Sequence, residues 1–442
     1  MPGSPATPSR IAPAGGAGPP SRARRTFDLP ALVAEFEARA NGASACYRAC
    51  APAETIGRML PLLPGLGITR LAKVTGLDRI GIPVWMAVRP NARNLSVSQG
   101  KGLTDADARA SAIMEATELC VAEAPWAPTV KTSARALREA GKRTIDTKRS
   151  RRRGEADLDV DEEAEWIEGF DLLAEVPVWV PLELVTVNAD QNGRAARGRF
   201  RQTSDGLASG NVLLEAVLHG LCERIERDAL CLWSFRSDRQ IAERCIDPDL
   251  LEDESLSECA RRFAQAGLRF RLFDITSDIG VPTYFAVVGP QLHELGANSR
   301  FFDVAGGSGT HPDPVRAALR AVTEAAQTRL TTISGARDDF QPEKYLAPLP
   351  PISTVYLRAE PSGRPPDRLA ERPASRTLPE DVPHVVERLR MCGIGSAVIV
   401  PLGGDETAFA VVKAVVADLE NSPDTKEATL GRRAVRAMMG RA

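Results

Sequence analysis

Three rows of polar side chains are spaced so that each could act from one face of a helix. In the first row Ser111, Glu115 and Glu118 lie at positions i, i+4 and i+7, which a helix places on one face. The preceding Thr104 is the predicted N-cap of this helix. A solvated helix face normally mixes Glu with Lys, but this helix has no lysine. The row therefore indicates carboxylates that serve a ligand.

The second row lies in a helix that follows the segment SDGLASGN, and its polar members are Asn211, Glu215, Glu223, Glu226 and Arg227. Their neighbours are mostly apolar, so we expect the helix to be buried. Buried carboxylates are costly unless cations compensate them. Two explanations stay open: the row binds a cation, or Arg224 and Arg227 pair with Glu223 and Glu226 without any ligand.

The third row follows AGGSGTH, where Asp313 and Pro314 predict a capped helix start. Arg320, Glu324 and Gln327 then lie at i, i+4 and i+7. We interpret the Gly-rich segments before the three helices as loops whose backbone amides hold phosphates, while the carboxylates hold Mg²⁺. Neither GxxxxGK[ST] nor GxGxxG occurs, which excludes a P-loop, Rossmann or kinase fingerprint.

The elements around these rows predict a mixed α/β or α+β fold. β-Branched runs at 176–187, 268–276 and 395–402 are typical of strands, and amphipathic stretches separate them. We expect a disordered tail at 1–26, a catalytic body at 27–346 with a charged surface excursion near 142–163, a Pro-rich linker at 347–376 and a smaller C-terminal α/β lobe with its tail at 377–442.

Composition narrows the class of partner. The formal charge is −2 and only 5% of residues are aromatic, which argues against nucleic-acid binding. No apolar run approaches the ~18 residues of a membrane span, so we expect a cytoplasmic protein without a membrane partner. The eight cysteines form no CxxC pair, and buried reduced thiols are expected.

Three blocks of the sequence resemble the signature of YcaO-domain proteins: SQGKG with ASAIMEATE, SDGLASGNVLLEAVLHGLCERIERDA, and GGSGTHPDPVRAALRAVTEAAQTRL. The resemblance implies a YcaO-type fold and an ATP site in which glutamates on helices hold Mg²⁺. The positions that it ties to ATP and Mg²⁺ are Glu115, Glu118, Asn211, Glu215, Glu223, Glu226, Arg227 and Glu324, with further matches at Lys101, Ser111 and Gln327.

Residue roles follow from the same resemblance. It implies catalytic roles for Glu115, Glu226 and Arg227 and nucleotide contacts for Lys101, Ser111, Asn211, Glu215 and Gln327. It implies Mg²⁺ or nucleotide ligands at Glu115, Glu118, Glu223, Glu226 and Glu324. In the family, a nucleophile attacks the carbon of a substrate amide, and the oxygen is phosphorylated and expelled as phosphate.

The nucleophile decides the product. Attack by a Cys, Ser or Thr side chain gives an azoline, whereas attack by sulfide gives a thioamide. Azoline-forming members commonly end in PxPxP, but this sequence ends in LGRRAVRAMMGRA, and its third block resembles the subgroup that works with a TfuA partner. We expect a thioamide on a peptide or protein substrate, made in peptide natural-product biosynthesis or post-translational modification. An azoline-forming cyclodehydratase, an accessory factor for methylthiolation of ribosomal protein S12, a scaffold that only binds and a homodimer remain open.

Overall fold

The computed structural model describes residues 27–40, 47–187, 198–337, 339–363, 377–421 and 430–440. The predicted tail at 1–26 and residues 364–376 of the predicted linker lie outside these ranges. The helices are α1 Leu29–Arg39, α2 Pro52–Met59, α3 Asp105–Glu123, α4 Ala134–Glu139, α5 Leu182–Val185, α6 Leu213–Trp233, α7 Asp238–Glu243, α8 Glu254–Gln265, α9 Pro314–Ser334, α10 Pro342–Leu346, α11 Pro351–Arg358, α12 Leu378–Met391 and α13 Arg432–Met438.

The strands are β1 Arg70–Lys73, β2 Val84–Val88, β3 Val97–Lys101, β4 Thr129–Ser133, β5 Glu163–Asp171, β6 Val176–Pro181, β7 Leu207–Gly210, β8 Cys245–Ile246, β9 Arg269–Asp274, β10 Thr283–Gly289, β11 Ala305–Thr310, β12 Val398–Asp405 and β13 Phe409–Val415. They form three antiparallel sheets with the orders β1-β2-β3, β11-β10-β9-β8 and β4-β5-β12-β13-β7, the last with β6 beside β5. The expected mixed fold is confirmed.

The C-terminal segment shares a sheet with the catalytic body. We expected a smaller lobe from residue 377 onward, but β12 pairs with β5 and β13 pairs with β7. β12 and β13 therefore lie in the middle of the large sheet, and their apolar side chains join the core clusters that contain α3 and α6. β13 is buried along its whole length and β12 over its first three residues. The segment therefore shares the core of the catalytic body and does not form a sheet of its own.

Each polar row lies on a helix that directly follows a strand: α3 follows β3, α6 follows β7 and α9 follows β11. The predicted caps are confirmed, since Thr104 and Asp107 form a capping box and the Asp313 side chain accepts from the backbone N–H groups of Val315 and Arg316. α6 is buried over most of its length, as its apolar neighbours predicted. These three helices position the candidate site.

The glycines before the helices lie in strands, which corrects the interpretation as phosphate-binding loops. Gly100 lies in β3, and a Cβ there would come within 1.9 Å of the Ala112 backbone N on α3. The equivalent distance from Gly307 in β11 to the Ala325 backbone N on α9 is 2.2 Å. Glycine is needed because the strand backbone contacts the helix backbone. These residues bring helix and strand together rather than offering free amides.

The surface excursion at 142–163 is exposed over most of its length. Within the residues that the structure describes, no helix is long and apolar enough to cross a membrane.

Candidate active site

Five carboxylates and two cations from the three helix units form one electrostatic cluster, which we call the acidic centre: Glu115, Glu118, Glu223, Glu226 and Glu324 with Lys101 and Arg227. Lys101 Nζ lies 2.8 Å from Glu324 Oε2, which joins β3 to α9. Arg227 lies 3.1 Å from Glu223 and 3.6 Å from Glu226, all on α6. Residues more than 200 positions apart in sequence thus meet, since Lys101 and Glu324 are separated by 223 positions.

Serine hydroxyls from the strands hold two of the carboxylates. The Ser209 backbone N–H and Oγ donate to Glu118 Oε1 at 2.8 and 2.7 Å, which connects β7 to α3. Ser308 Oγ of β11 donates to Glu226 Oε1 of α6 at 2.8 Å. Each strand therefore orients a carboxylate on a helix other than the one that follows it.

Glu115 is the carboxylate without a partner. It makes no hydrogen bond or ion pair to any residue that the structure describes, and its surroundings include Lys101, Glu324 and Glu223. Burial raises the pKa of Glu115 to about 7, and burial with the nearby Glu115 and Glu223 raises that of Glu118 to about 8. A partly exposed carboxylate that has no paired cation among the described residues is suited to binding one.

These pKa shifts predict that stability without metal falls as pH rises. Glu115 and Glu118 ionise near pH 4.5 when unfolded and near 7 and 8 when folded, so between these limits the folded state binds more protons. We expect a lower melting temperature at pH 8 than at pH 5.5 in a chelator, and proton release on binding of Mg²⁺ with nucleotide.

The double variant Glu115→Gln with Glu118→Gln should show a smaller change of melting temperature over this range. Glu163→Gln is the matched control, because Glu163 is exposed. An unchanged pH dependence in the double variant would assign the effect to other groups.

The donor set fits Mg²⁺ together with phosphates. Carboxylate oxygens are the hard ligands that Mg²⁺ prefers, and Mg²⁺ usually takes one or two carboxylates plus substrate phosphates. Within the described residues no three acidic, histidine or cysteine side chains are grouped closely enough to hold a metal ion by themselves. Lys101 lies beside Glu324, and Arg227 lies beside Glu223. Burial alone would raise the pKa of Glu324, but the charges of Lys101 and Arg227 hold it below its usual value. The residues present therefore suit an ion that shares its shell with a polyphosphate.

Glu215 lies in the first turn of α6 and Asn211 lies just before this helix, whereas Glu226 lies about three turns further along. Glu215 Oε2 accepts from the Asn211 backbone N–H and Nδ2 at 2.9 and 3.0 Å, and Oε1 accepts from the backbone N–H of Ala49. Thr55 Oγ1 donates to Asn211 Oδ1 at 2.7 Å. With a rise of 1.5 Å per residue, Glu215 and Glu226 are about 16 Å apart along the helix. The pair therefore orders the 47–55 segment and is not part of the acidic centre.

The remaining predicted residues border the centre. Ser111 is half-buried on α3, one turn before Glu115. Gln327 Nε2 donates to the Gln99 backbone oxygen at 3.0 Å, while its Oε1 is buried and has no hydrogen-bond partner among the described residues. Gln327 thus joins α9 to β3 and retains one free acceptor.

The sequence left two explanations for the α6 row, a bound cation or pairing of Arg224 and Arg227 with Glu223 and Glu226. The structure shows part of that pairing. Arg227 pairs with Glu223 and Glu226 as that explanation requires. Arg224 does not, because it donates to the backbone oxygens of Leu419 and Glu420 and lies 3.7 Å from Asp205. Arg227 therefore serves Glu223 and Glu226, and Lys101 serves Glu324. Glu115 and Glu118 form no ion pair with any residue that the structure describes.

Sequence reasoning did not assign roles to Arg320 and Asp205. Arg320 Nε is buried without a hydrogen-bond partner among the described residues. The pKa values of His219 and His311 lie well below the usual range. Burial is the largest cause of this shift, and the positive charge of Arg320 is the second. Asp205 lies 3.4 Å from Arg227 and 3.7 Å from Arg224. Arg320 was visible one turn before Glu324, but nothing in the sequence showed that its Nε would be buried without a hydrogen-bond partner among the described residues.

Two relatives of known sequence match most of this chain. A protein in the tfuA 3′ region of Rhizobium leguminosarum bv. trifolii is 39% identical over 426 residues, covering 93% of this chain and 98% of that protein. A Methanothermobacter thermautotrophicus protein is 33% identical over 385 residues, covering 84% of this chain and 95% of the relative.

Solved structures share the fold. A heterocyclase in complex with substrate and cofactor superposes with a TM-score of 0.71 at 21% identity, over 89% of this chain and 55% of the heterocyclase. This chain therefore spans little more than half of that protein. YcaO from Methanopyrus kandleri, bound with AMPPCP and Mg²⁺, superposes with a TM-score of 0.63 at 24% identity, over 84% of this chain and 92% of the other.

The family model described as YcaO cyclodehydratase, ATP- and Mg²⁺-binding, matches residues 99–420, from β3 through all three polar rows to the segment after β13. The match spans most of the chain, and the alignment with the Rhizobium relative covers nearly the whole length of both proteins. The chain therefore belongs to the ATP- and Mg²⁺-binding YcaO family.

Proposed function

We propose that this protein uses ATP and Mg²⁺ to activate a backbone amide of a peptide or protein, and that sulfide supplied by a TfuA-type partner turns this amide into a thioamide. Hydrosulfide adds to the amide carbon, the amide oxygen takes the terminal phosphoryl group of ATP, and the C–O bond breaks. The products are the thioamide, ADP and phosphate, so no oxidant or reductant is needed.

Glu115 carries the proposal for ATP chemistry. It is a carboxylate without a partner among the described residues, and it lies in a centre rich in carboxylates. Burial raises the pKa of Glu115, and the charge of Lys101 is the largest effect that opposes this rise. Bound Mg²⁺ would supply positive charge that stabilises the transferred phosphoryl group. Glu115, Glu118 and Glu226 would hold this ion, while Lys101, Arg227 and Arg320 would face phosphate oxygens.

Hydrogen bonds fix these side chains before a ligand binds. Glu118 is held by Ser209 and Glu226 by Ser308, each within 2.8 Å. Both serines lie on strands whose neighbouring glycines contact helix backbone, so the carboxylates have little freedom to move. Preorganised charges of this kind stabilise a transition state without a cost of reorganisation.

The sulfur source is proposed to be external. Burial raises the pKa of Cys50, Cys120, Cys222, Cys231, Cys245 and Cys259, which keeps these thiols protonated at neutral pH. A protonated, buried thiol is a poor sulfur carrier. The Rhizobium relative is a protein in the tfuA 3′ region, and this location supports a TfuA-type protein as the partner.

Mass spectrometry of a substrate peptide tests the proposal. With enzyme and Mg·ATP alone we expect almost no change, and with added sulfide or a TfuA-type protein we expect one oxygen of the peptide to be replaced by sulfur, which raises its mass. ADP release should rise in parallel. Loss of one water at a Cys, Ser or Thr without any sulfur source would instead identify an azoline-forming enzyme.

A further inference from the structure

A surface cluster of aromatic side chains lies at the carboxyl end of α9, the helix that carries Glu324. We call it the aromatic platform, and it consists of Phe301, Phe302, Phe340 and Tyr345. The ring centroid of Phe302 lies 5.1 Å from that of Phe301, 5.3 Å from that of Phe340 and 4.7 Å from that of Tyr345, so the four rings are continuous. None of the four belongs to a hydrophobic core cluster of the described residues.

The platform is exposed, but backbone contacts fix its position. Phe301 is 44% exposed, and Leu346, next to Tyr345 in the sequence, is 77% exposed. The Phe301 backbone N–H donates to the Ala347 oxygen at 2.9 Å, and the Tyr345 hydroxyl donates to the oxygen of Thr332 in the last turn of α9 at 3.2 Å. Exposed apolar clusters of this kind mark interaction sites, and a surface that is already ordered loses little entropy when it binds.

Arg337 connects the platform to the acidic centre. Its guanidinium carbon lies 5.3 Å from the centroid of the Phe340 ring. Burial raises the pKa of Glu115, and the charges of Lys101 and then Arg337 oppose this rise, so Arg337 also acts on the acidic centre. The platform therefore borders the acidic centre on the side of the α9 carboxyl end.

The distance between the two sites suits an extended peptide. Thr332, which Tyr345 contacts, lies eight residues after Glu324 on α9, which is about 12 Å along the helix axis. An extended chain advances about 3.3 Å per residue, so about four residues span this distance. A peptide with one amide at the acidic centre can thus place a nearby side chain against the rings.

The area of the platform favours a peptide over a second copy of this chain. Each partner of a stable protein–protein interface buries about 800 Å². An aromatic side chain covers roughly 150–250 Å² when it is fully exposed, but Phe302, Phe340 and Tyr345 are half-buried. Even with Leu346 included, the platform offers about half of the area that a stable dimer needs.

We propose that the aromatic platform binds a large apolar side chain of the substrate peptide, about four residues from the amide that is activated. Phe301, Tyr345 and Leu346 contact this side chain, and Arg337 lies between it and the acidic centre. The inference rests on the proposed function in one respect, because it takes the bound peptide to be the substrate.

Peptide binding to the full-length protein tests the platform. A random peptide library, selected on the protein with Mg·AMPPCP, supplies a probe peptide, and we expect the selected sequences to share one large apolar residue. Fluorescence anisotropy of a labelled copy gives its dissociation constant. Phe301→Ser and Leu346→Ser should each weaken binding about 10-fold, because each removes apolar contact area. Leu430→Ser is the matched control: Leu430 is 49% exposed and lies outside the platform, so this variant should bind the probe like the wild type.

The possible failures are distinguishable. Equal affinity of the wild type, Phe301→Ser and Leu346→Ser, or no selected peptide at all, would overturn the platform as a docking surface even if the protein forms thioamides. A dimer in light scattering that Leu346→Ser dissociates would assign the platform to a second copy. Binding that depends on the platform but gives no sulfur exchange would retain the docking surface and contradict the proposed function.

Fragment mass spectrometry of a modified probe tests the spacing. We expect the sulfur at an amide about four residues from the shared apolar residue, and moving this residue along the probe should move the modified amide with it. A modified amide that stays in place when the apolar residue moves would show that the platform does not position the substrate.

Discussion

Replacing Glu226 or Glu115 by Gln is expected to lower ATP turnover at least about 100-fold while the protein remains folded. Gln has the shape of Glu and still accepts the hydrogen bond from Ser308 that Glu226 receives at 2.8 Å. The change therefore removes the negative charge and little else. Glu115 makes no hydrogen bond or ion pair to a described residue, so its replacement breaks no native contact.

The two variants should differ in stability, and this difference separates damage from chemistry. Glu115→Gln removes a half-buried carboxylate that has no partner among the described residues, so we expect equal or higher stability without ligand. Glu226→Gln leaves Arg227 with less compensation, so a modest loss is expected. Melting curves and steady-state release of ADP measure both effects, with Glu163→Gln as the control that should behave like the wild type. Wild-type ADP release by both folded variants would show that the acidic centre is not the ATP site.

Helix spacing predicted much of the candidate site because the relevant geometry is local. Glu115 and Glu118 share a face of α3, and the caps at Thr104 and Asp313 begin their helices where the sequence indicated. The meeting of the three helices could not be derived in this way. It depends on contacts such as Lys101 with Glu324 and Ser209 with Glu118, whose partners are 223 and 91 positions apart.

The role of the C-terminal segment was also hidden from local patterns. GSAVIVPL indicated a strand correctly, and β12 spans Val398–Asp405. A strand pattern says nothing about its neighbours, however, and the prolines before residue 377 favoured a separate lobe. β13 pairs with β7, which immediately precedes α6, so this segment supports the helix that carries Glu223 and Glu226.

The Gly-rich segments were recognised as important, but their physical role was misread. Glycine is typical both of phosphate-binding loops and of strands that lie against another backbone, and sequence alone does not separate these. At Gly307 the surroundings decide, because Ala321 O and Ala325 N of α9 would lie 2.4 and 2.2 Å from an added Cβ. These are backbone atoms that cannot rotate away.

Gly307→Ala is therefore expected to lower the free energy of unfolding by about 3 kcal/mol or more, at the upper end of the cost of overpacking. To relieve the contact, β11 must move away from α9, and Ser308 moves with it. Ser308 holds Glu226, and Glu324 lies on the displaced side of α9, so ADP release should fall in any protein that still folds. Urea unfolding and ADP release measure the two effects.

Gly296→Ala is the matched control for this substitution. Nothing lies within 4 Å of an added Cβ at Gly296, so the same chemical change should cost little there. A Gly307→Ala protein that matches this control in urea midpoint and in ADP release would show that β11 and α9 are not in close backbone contact. In that case the Gly-rich segments would not act as strands that position the acidic centre. The segment AGGSGTH would then be better interpreted as a loop that contacts phosphate.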